Sequence, residues 1–134
     1  MTAAGIDLLA VYRDYLNCLN ERRWADLGTY VADELTYNGG HMTLGDYRAM
    51  LQGDTRAIPD LQFRPELLLA DETIVSCRLF FECTPRQPFL GFEPTGAQMS
   101  FAEHVFYRFA GGRISEVWSL IDIDAIREQI QRGR

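Results

Sequence analysis

Apolar residues recur at helical spacing in the first part of the chain and alternate in the second. Across residues 6–19, Leu9, Tyr12, Leu16 and Leu19 share one side while Arg13, Asp14, Asn17 and Asn20 take the other, which predicts an amphipathic helix. After the polar Asn20-Glu21-Arg22-Arg23 break, Trp24, Leu27, Tyr30 and Val31 repeat the spacing in a shorter helix. Residues 34–40 begin β-prone and end in Asn-Gly-Gly, predicting a short strand and a turn. Tyr47, Met50, Leu51 and Asp54 predict a third helix over residues 45–57, because Pro59 disfavours its continuation.

From residue 61 the texture is β-rich, with strands predicted at residues 61–70, 73–84, 99–109 and 113–121. Asp71-Glu72, a Pro/Gly loop at 86–98 and Gly111-Gly112 separate them. Asp122 or Asp124 is placed to cap a final helix carrying Ile126 and Ile130.

Sorting the strands by alternation separates two faces of a sheet. Met99, Phe101, Glu103, Val105, Tyr107 and Phe109 fall on one side, and Ser100, Ala102, His104, Phe106 and Arg108 on the other. On the preceding strand Val75, Cys77, Leu79, Phe81 and Cys83 form the apolar side. On the last strand Val117, Ser119 and Ile121 share one face, and Ile114, Glu116, Trp118 and Leu120 share the other. With both faces there largely apolar, helices cover one side and a second copy of the chain is expected to cover the other, as a homodimer through the sheet. Arg78, Glu82, Arg108 and Glu116 are available for charge pairs on that face.

Composition narrows the partners. The chain of 134 residues, 47% hydrophobic, is long enough for one domain, 1–134, with its own core. Its 13 Lys+Arg against 19 Asp+Glu give a net charge of −6, which repels nucleic acid and acidic membrane surfaces. The first residues lack a basic segment ahead of their apolar positions, and charges interrupt those positions, so a cytoplasmic protein is expected. The three cysteines, Cys18, Cys77 and Cys83, have neither zinc nor redox spacing and read as small buried hydrophobes. The two histidines, His41 and His104, bring no carboxylate motif with them, so no metal is expected. The glycine pairs lack a phosphate-cradling pattern, so no nucleotide or other cofactor is expected.

Three segments carry a resemblance to a known family: Ile58-Pro59-Asp60-Leu61, then Phe89-Leu90-Gly91-Phe92-Glu93-Pro94-Thr95-Gly96, then Tyr107-Arg108-Phe109-Ala110-Gly111-Gly112-Arg113-Ile114-Ser115-Glu116-Val117-Trp118. In this order and at these intervals they resemble the SnoaL-like polyketide cyclases (ester cyclases) of the nuclear transport factor 2-like superfamily. The resemblance implies an α+β fold: a cone-shaped barrel of N-terminal helices on a curved, mainly antiparallel sheet, with a short C-terminal helix. It also implies a dimer, a deep hydrophobic pocket and acid–base chemistry without a cofactor. Aligned on those segments, the cyclases' acid/base aspartate falls at Ser119 and an assisting histidine at Val105. Two further positions where relatives carry histidine hold Val117 and Pro85.

Glu103 is the candidate proton carrier. A carboxyl on an apolar strand face is costly to ionise, which lifts it above its ordinary value of about 4.3 toward the range of a general acid or base. Tyr37, Tyr107 or Ser119 would donate a hydrogen bond to an enolate formed there. Glu103, Tyr107 and Ser119 are thus the catalytic candidates, and Tyr37, His41, Phe81, Phe101, Val105 and Val117 the pocket lining. For Glu103 the competing reading is a pairing with an arginine or a backbone amide; for His41 it is a surface turn. Asp60, Asp122 and Asp124 suit turn closure and capping. Residues 86–98 either cover the pocket mouth or pack on a partner. Two functions follow: an enzyme cyclising, isomerising or dehydrating a hydrophobic carbonyl compound, or a non-catalytic protein that only binds such a molecule.

Overall fold

The computed structural model describes residues 6–133, so residues 1–5 and 134 of the expected domain lie outside the described residues. Helix α1 spans Leu8–Asn20, with the Asp7 carboxylate accepting the Leu9 and Ala10 amides at its start. The next segment is a 3-10 helix, Trp24–Thr29, shorter than the predicted second helix, because Val31 already opens a strand. Strand β1 spans Val31–Tyr37 and β2 spans Gly40–Thr43. They form a hairpin in which Tyr37 pairs with Gly40 across Asn38-Gly39, both with positive φ (47° and 85°), as a two-residue turn of this hand requires. The turn was legible in the sequence. The return strand β2 was not, since its four residues are too few to show alternation.

Helix α2 spans Leu44–Ala57 and begins with a capping box in which Thr43 and Asp46 each accept the other's backbone N–H. Strands β3 (Arg64–Ala70), β4 (Ile74–Cys83), β5 (Met99–Ala110) and β6 (Arg113–Ile121) follow, then α3 (Ile123–Arg132), capped by Asp122. The strands make one six-stranded sheet in the order β2-β1-β6-β5-β4-β3. The sheet is mixed, because β1 lies parallel to β6 while the other neighbours are antiparallel.

The predicted faces of β4 and β5 hold. Val75, Leu79, Phe81, Phe101, Val105 and Tyr107 are all buried, and so are Tyr12, Tyr15, Leu16 and Leu19 of α1, which cover that face. Strand β6 needs a correction. Ile114 was grouped with Glu116, Trp118 and Leu120, yet it is fully buried and pairs with Phe109, while Glu116 pairs with Arg108. The register slips there, leaving Ser115 as an extra residue, and a bulge of this kind lets Ile114 and Val117 both face the core despite their odd spacing. Cys18, Cys77 and Cys83 are buried free thiols.

Candidate active site

Glu103 points from the middle of β5 into a narrow cavity between α1, α2 and the sheet. Tyr37, Val105, Tyr107 and Val117 line the same space, as do Tyr15, Tyr47, Met50 and Asp54 from the two helices and β1 side of the cone. The cavity measures about 50 Å³, room for a few waters and well short of the deep pocket expected. Aromatic rings fill the difference: Tyr12, Tyr15 and Tyr107 pack with centroids 4.9–5.9 Å apart, and Tyr37 lies 6.1 Å from Tyr47. Larger hollows of about 430 and 470 Å³ sit on the other face of the sheet, around Arg78 and His104, with the sheet between them and the Glu103 carboxyl.

The polar contacts of Glu103 are few. Ser119 Oγ donates to Glu103 Oε2 at 2.5 Å, a short hydrogen bond. Ser119 is itself held from the β1–β2 turn: its N–H donates to Asn38 Oδ1 at 2.8 Å, and Asn38 Nδ2 donates back to the Ser119 carbonyl at 3.2 Å. No arginine and no backbone amide pairs with Glu103 among the described residues. Burial raises the Glu103 carboxyl above its ordinary value; the Ser119 hydrogen bond partly offsets this, and the negative charge of Asp54 adds to it.

Asp54 was seen in the sequence only as one position of a helical stripe. In α2 it follows Tyr47, Met50 and Leu51 on the face turned to the sheet, and burial pushes its carboxyl up to about 6. The signal was the same as for Glu103, a carboxylate on an apolar face, but at helical rather than strand period. The phenols around it are held neutral. Burial lifts Tyr15, Tyr47 and Tyr107 well above their usual value, and Tyr37 less strongly. Tyr15 and Tyr47 share a hydroxyl contact of 2.6 Å, and Tyr12 donates to Tyr107 Oη at 3.4 Å.

Other expected site residues fall elsewhere. His41 lies on β2, exposed, with Nε2 3.2 Å from Glu34 Oε1, and does not reach the cavity because β2 is the edge strand. Phe81 and Phe101 are buried on the inner face and stack with each other (5.0 Å), Phe81 also against Phe63, which lines the cavity, and Phe101 against Phe89; neither Phe81 nor Phe101 lines the cavity itself. In the 86–98 loop Phe89 packs on Phe101, Phe92 lies under Arg127, and no residue of the loop lines the Glu103 cavity. Asp122 accepts the Ala125 amide and caps α3 as expected, whereas Asp60, expected to close a local turn, accepts the amide of Thr84, 24 residues on, and ties the start of the β3 segment to the end of β4. Among the described residues no group of three or more His, Cys, Asp or Glu side chains is placed to hold a metal ion.

The sequence profile of the SnoaL-like polyketide cyclases matches residues 9–130. A crystal structure of a SnoaL-like polyketide cyclase from Agrobacterium tumefaciens superimposes with a TM-score of 0.91 at 41% identity, covering 94% of this chain and 99% of that one. Two more distant structures share the fold. AclR, a candidate hydroxylase from Streptomyces galilaeus, has a TM-score of 0.76 at 21% identity, covering 94% of this chain and 96% of its own. A candidate polyketide cyclase from Acidithiobacillus ferrooxidans has a TM-score of 0.83 at 19% identity, covering 99% and 100%. No curated protein matches the sequence. A helix-covered, curved mixed sheet with a short C-terminal helix, the three motif segments in register and a profile match over almost the whole chain have one reading: the chain belongs to the SnoaL-like polyketide cyclase family.

Proposed function

We propose that the chain is an acid–base catalyst acting on a neutral, largely apolar carbonyl compound, with Glu103 as the proton carrier. The observation that carries this reading is a carboxyl on the dry face of the sheet, raised by burial and hydrogen-bonded by a hydroxyl rather than neutralised by a cation. Ser119 stands where the family's acid/base aspartate aligns, and Glu103 Oε2 lies 2.5 Å from its hydroxyl. The neighbouring strand thus brings a carboxyl to the place from which the aspartate is missing. Val105, at the histidine position, leaves the site without a cation, and no Lys, Arg or His lines the cavity. An anionic substrate would meet two carboxyls and no counter-charge, so the substrate is uncharged where it reacts. The neutral phenols Tyr37 and Tyr107 supply hydrogen bonds to the oxygen of an enol or enolate. Proton transfer next to a carbonyl leads to ring closure, isomerisation or loss of water.

The cavity opens where its lining is half-buried, at Tyr37, Met50, Asp54, Glu103 and Ile121. Met50, unbranched and adaptable, is the side chain that yields as a substrate enters. The narrowness of the cavity, about 50 Å³, supports a second reading, a protein that binds a small apolar molecule without turning it over. Deuterium incorporation into cyclohexanone, followed by NMR in heavy water, separates the two. The wild type accelerates exchange at the carbon next to the carbonyl, and Glu103→Gln slows it by roughly 10²–10⁴ while remaining folded. An equal rate in the variant removes the catalytic reading. Binding of the ketone with no exchange in either protein establishes the second.

The reading includes a homodimer through the outer face of the sheet. Leu67, Leu69, Phe106 and Leu120 are 51–74% exposed there, more apolar surface than a solvated face needs. Equilibrium sedimentation at the mass of one chain would overturn it. A cytoplasmic setting, in which thiols stay reduced, suits three buried free cysteines; no helix of the described residues is long and apolar enough to cross a membrane.

A further inference from the structure

We infer that Asp54 is the proton acceptor of this site and that Glu103, facing the same cavity from β5, is its proton donor. The inference rests on the acid–base reading above and adds to it a second carboxyl with a separate task.

The structure offers Asp54 no structural employment. Asp7, Asp46, Asp71 and Asp122 each accept a backbone N–H that caps a helix or closes a turn, and Asp60 accepts the Thr84 amide from the end of β4. The Asp54 carboxylate accepts no hydrogen bond and joins no salt bridge among the described residues, although its own carbonyl accepts the Ile58 amide. It also sits in the last turn of α2, where the negative end of the helix dipole disfavours a carboxylate. A half-buried acid at the wrong end of a helix, with no hydrogen-bond partner among the described residues and facing the Glu103 cavity, is placed for chemistry there rather than for holding the fold.

The groups that share the cavity with it decide the direction of proton flow. Tyr15 comes from α1, Tyr37 from β1, Tyr47 from α2 itself, and Glu103 and Tyr107 from β5; none is a cation. Two carboxyls facing one small apolar space do not ionise together. Asp54, the more open of the two, ionises first, and its charge then holds the proton on Glu103. Ser119 occupies Glu103 Oε2 as a donor, which leaves the other carboxyl oxygen to carry that proton.

The step balances without a co-reactant. The Asp54 carboxylate takes a proton from the carbon beside the substrate carbonyl; the C–H electrons form a C=C bond as the carbonyl π pair moves to oxygen, and that oxygen takes the Glu103 proton. The products are the enol, protonated Asp54 and ionised Glu103, and return of both protons resets the site or completes an isomerisation.

Two measurements on the full chain test the assignment. Infrared titration of the protonated carboxyl band in heavy water, on wild type, Asp54→Asn and Glu103→Gln, needs no substrate. The band that titrates near pH 6 disappears in Asp54→Asn and persists in Glu103→Gln, and the Glu103 band titrates at lower pH once Asp54 is gone. In cyclohexanone exchange, the wild-type rate climbs through about pH 6 as Asp54 ionises. Asp54→Asn lowers the rate by about 100-fold or more and loses that limb, whereas Glu103→Gln is slower but keeps it. An Asp54→Asn protein with the wild-type rate and limb, beside an inactive Glu103→Gln, overturns this assignment and leaves Glu103 as the proton carrier. Wild-type rates in both variants remove the acid–base reading as well.

Discussion

Glu103 and His104 are neighbours on β5, and the two faces of the sheet treat their charges in opposite ways. On the inner face, Glu103 and Asp54 have apolar and phenolic neighbours and no cation, so burial raises both carboxyls. On the outer face, Arg78 Nε meets Glu66 Oε1 at 2.6 Å and Arg78 Nη1 meets His104 Nε2 at 2.6 Å; Arg108 meets Glu116 at 3.6 Å. These side chains are partly open to solvent, where ion pairs add little to stability. The chain holds opposite charges together in water and leaves like charges unpaired in the dry interior. The interior arrangement raises the proton affinity of Asp54 and Glu103 toward the range of acid–base chemistry near neutral pH.

The largest expected effect comes from placing a further charge on the dry side. Val105 is 1% exposed, and Val105→Asp should cost about 3–5 kcal/mol in urea unfolding at pH 8, because the new carboxylate would find no partner there. A cost under about 1 kcal/mol would show that water reaches the cavity freely and would dissolve the contrast between the faces.

A smaller effect follows from Asp54 and carries a definite sign. Its carboxyl binds a proton up to about pH 6 in the folded chain and to about 3.8 when unfolded, so the folded state is favoured below pH 4 and loses that advantage as pH rises through 6. Asp54→Asn removes the loss. The variant should match or exceed the wild type above pH 6 by about 1–2 kcal/mol, a shift of two units being worth about 3 kcal/mol before solvent screening of a half-buried group. Thermal unfolding of both proteins between pH 4 and 8 reads the difference; a variant less stable than wild type at pH 8 would mean that Asp54 has a structural partner.

The smallest effect on the folded protomer lies outside. Phe106 is 51% exposed, and Phe106→Asp should change protomer stability by no more than about 1 kcal/mol. In sedimentation it should convert a dimer to a monomer, since the charge falls amid the exposed apolar side chains Leu67, Leu69 and Leu120. An unchanged dimer would move the interface to another surface.

Much of this contrast was readable from the chain. Strand alternation alone put Glu103 inward and His104 outward, because side-chain direction in a paired strand follows from backbone pleating and needs no knowledge of neighbours. The same reasoning failed at Ile114, where one extra residue in β6 shifts the phase, and at β2, whose pairing depends on a turn bringing it back to β1. His41 was expected in the pocket for its place beside that turn, and the edge position of β2 puts it in solvent.

Local periodicity determined which residues share a face, and the motif segments determined the family. What fills the space above that face was decided by tertiary structure. Pairing of β5 with β6 sets Ser119 Oγ against the Glu103 carboxyl, and only packing α1 and α2 onto the sheet brings Asp54 to Glu103 and crowds four tyrosines into a cavity of about 50 Å³. Proximity between residues far apart in sequence depends on how helices and sheet dock, and the period of neither element encodes that docking.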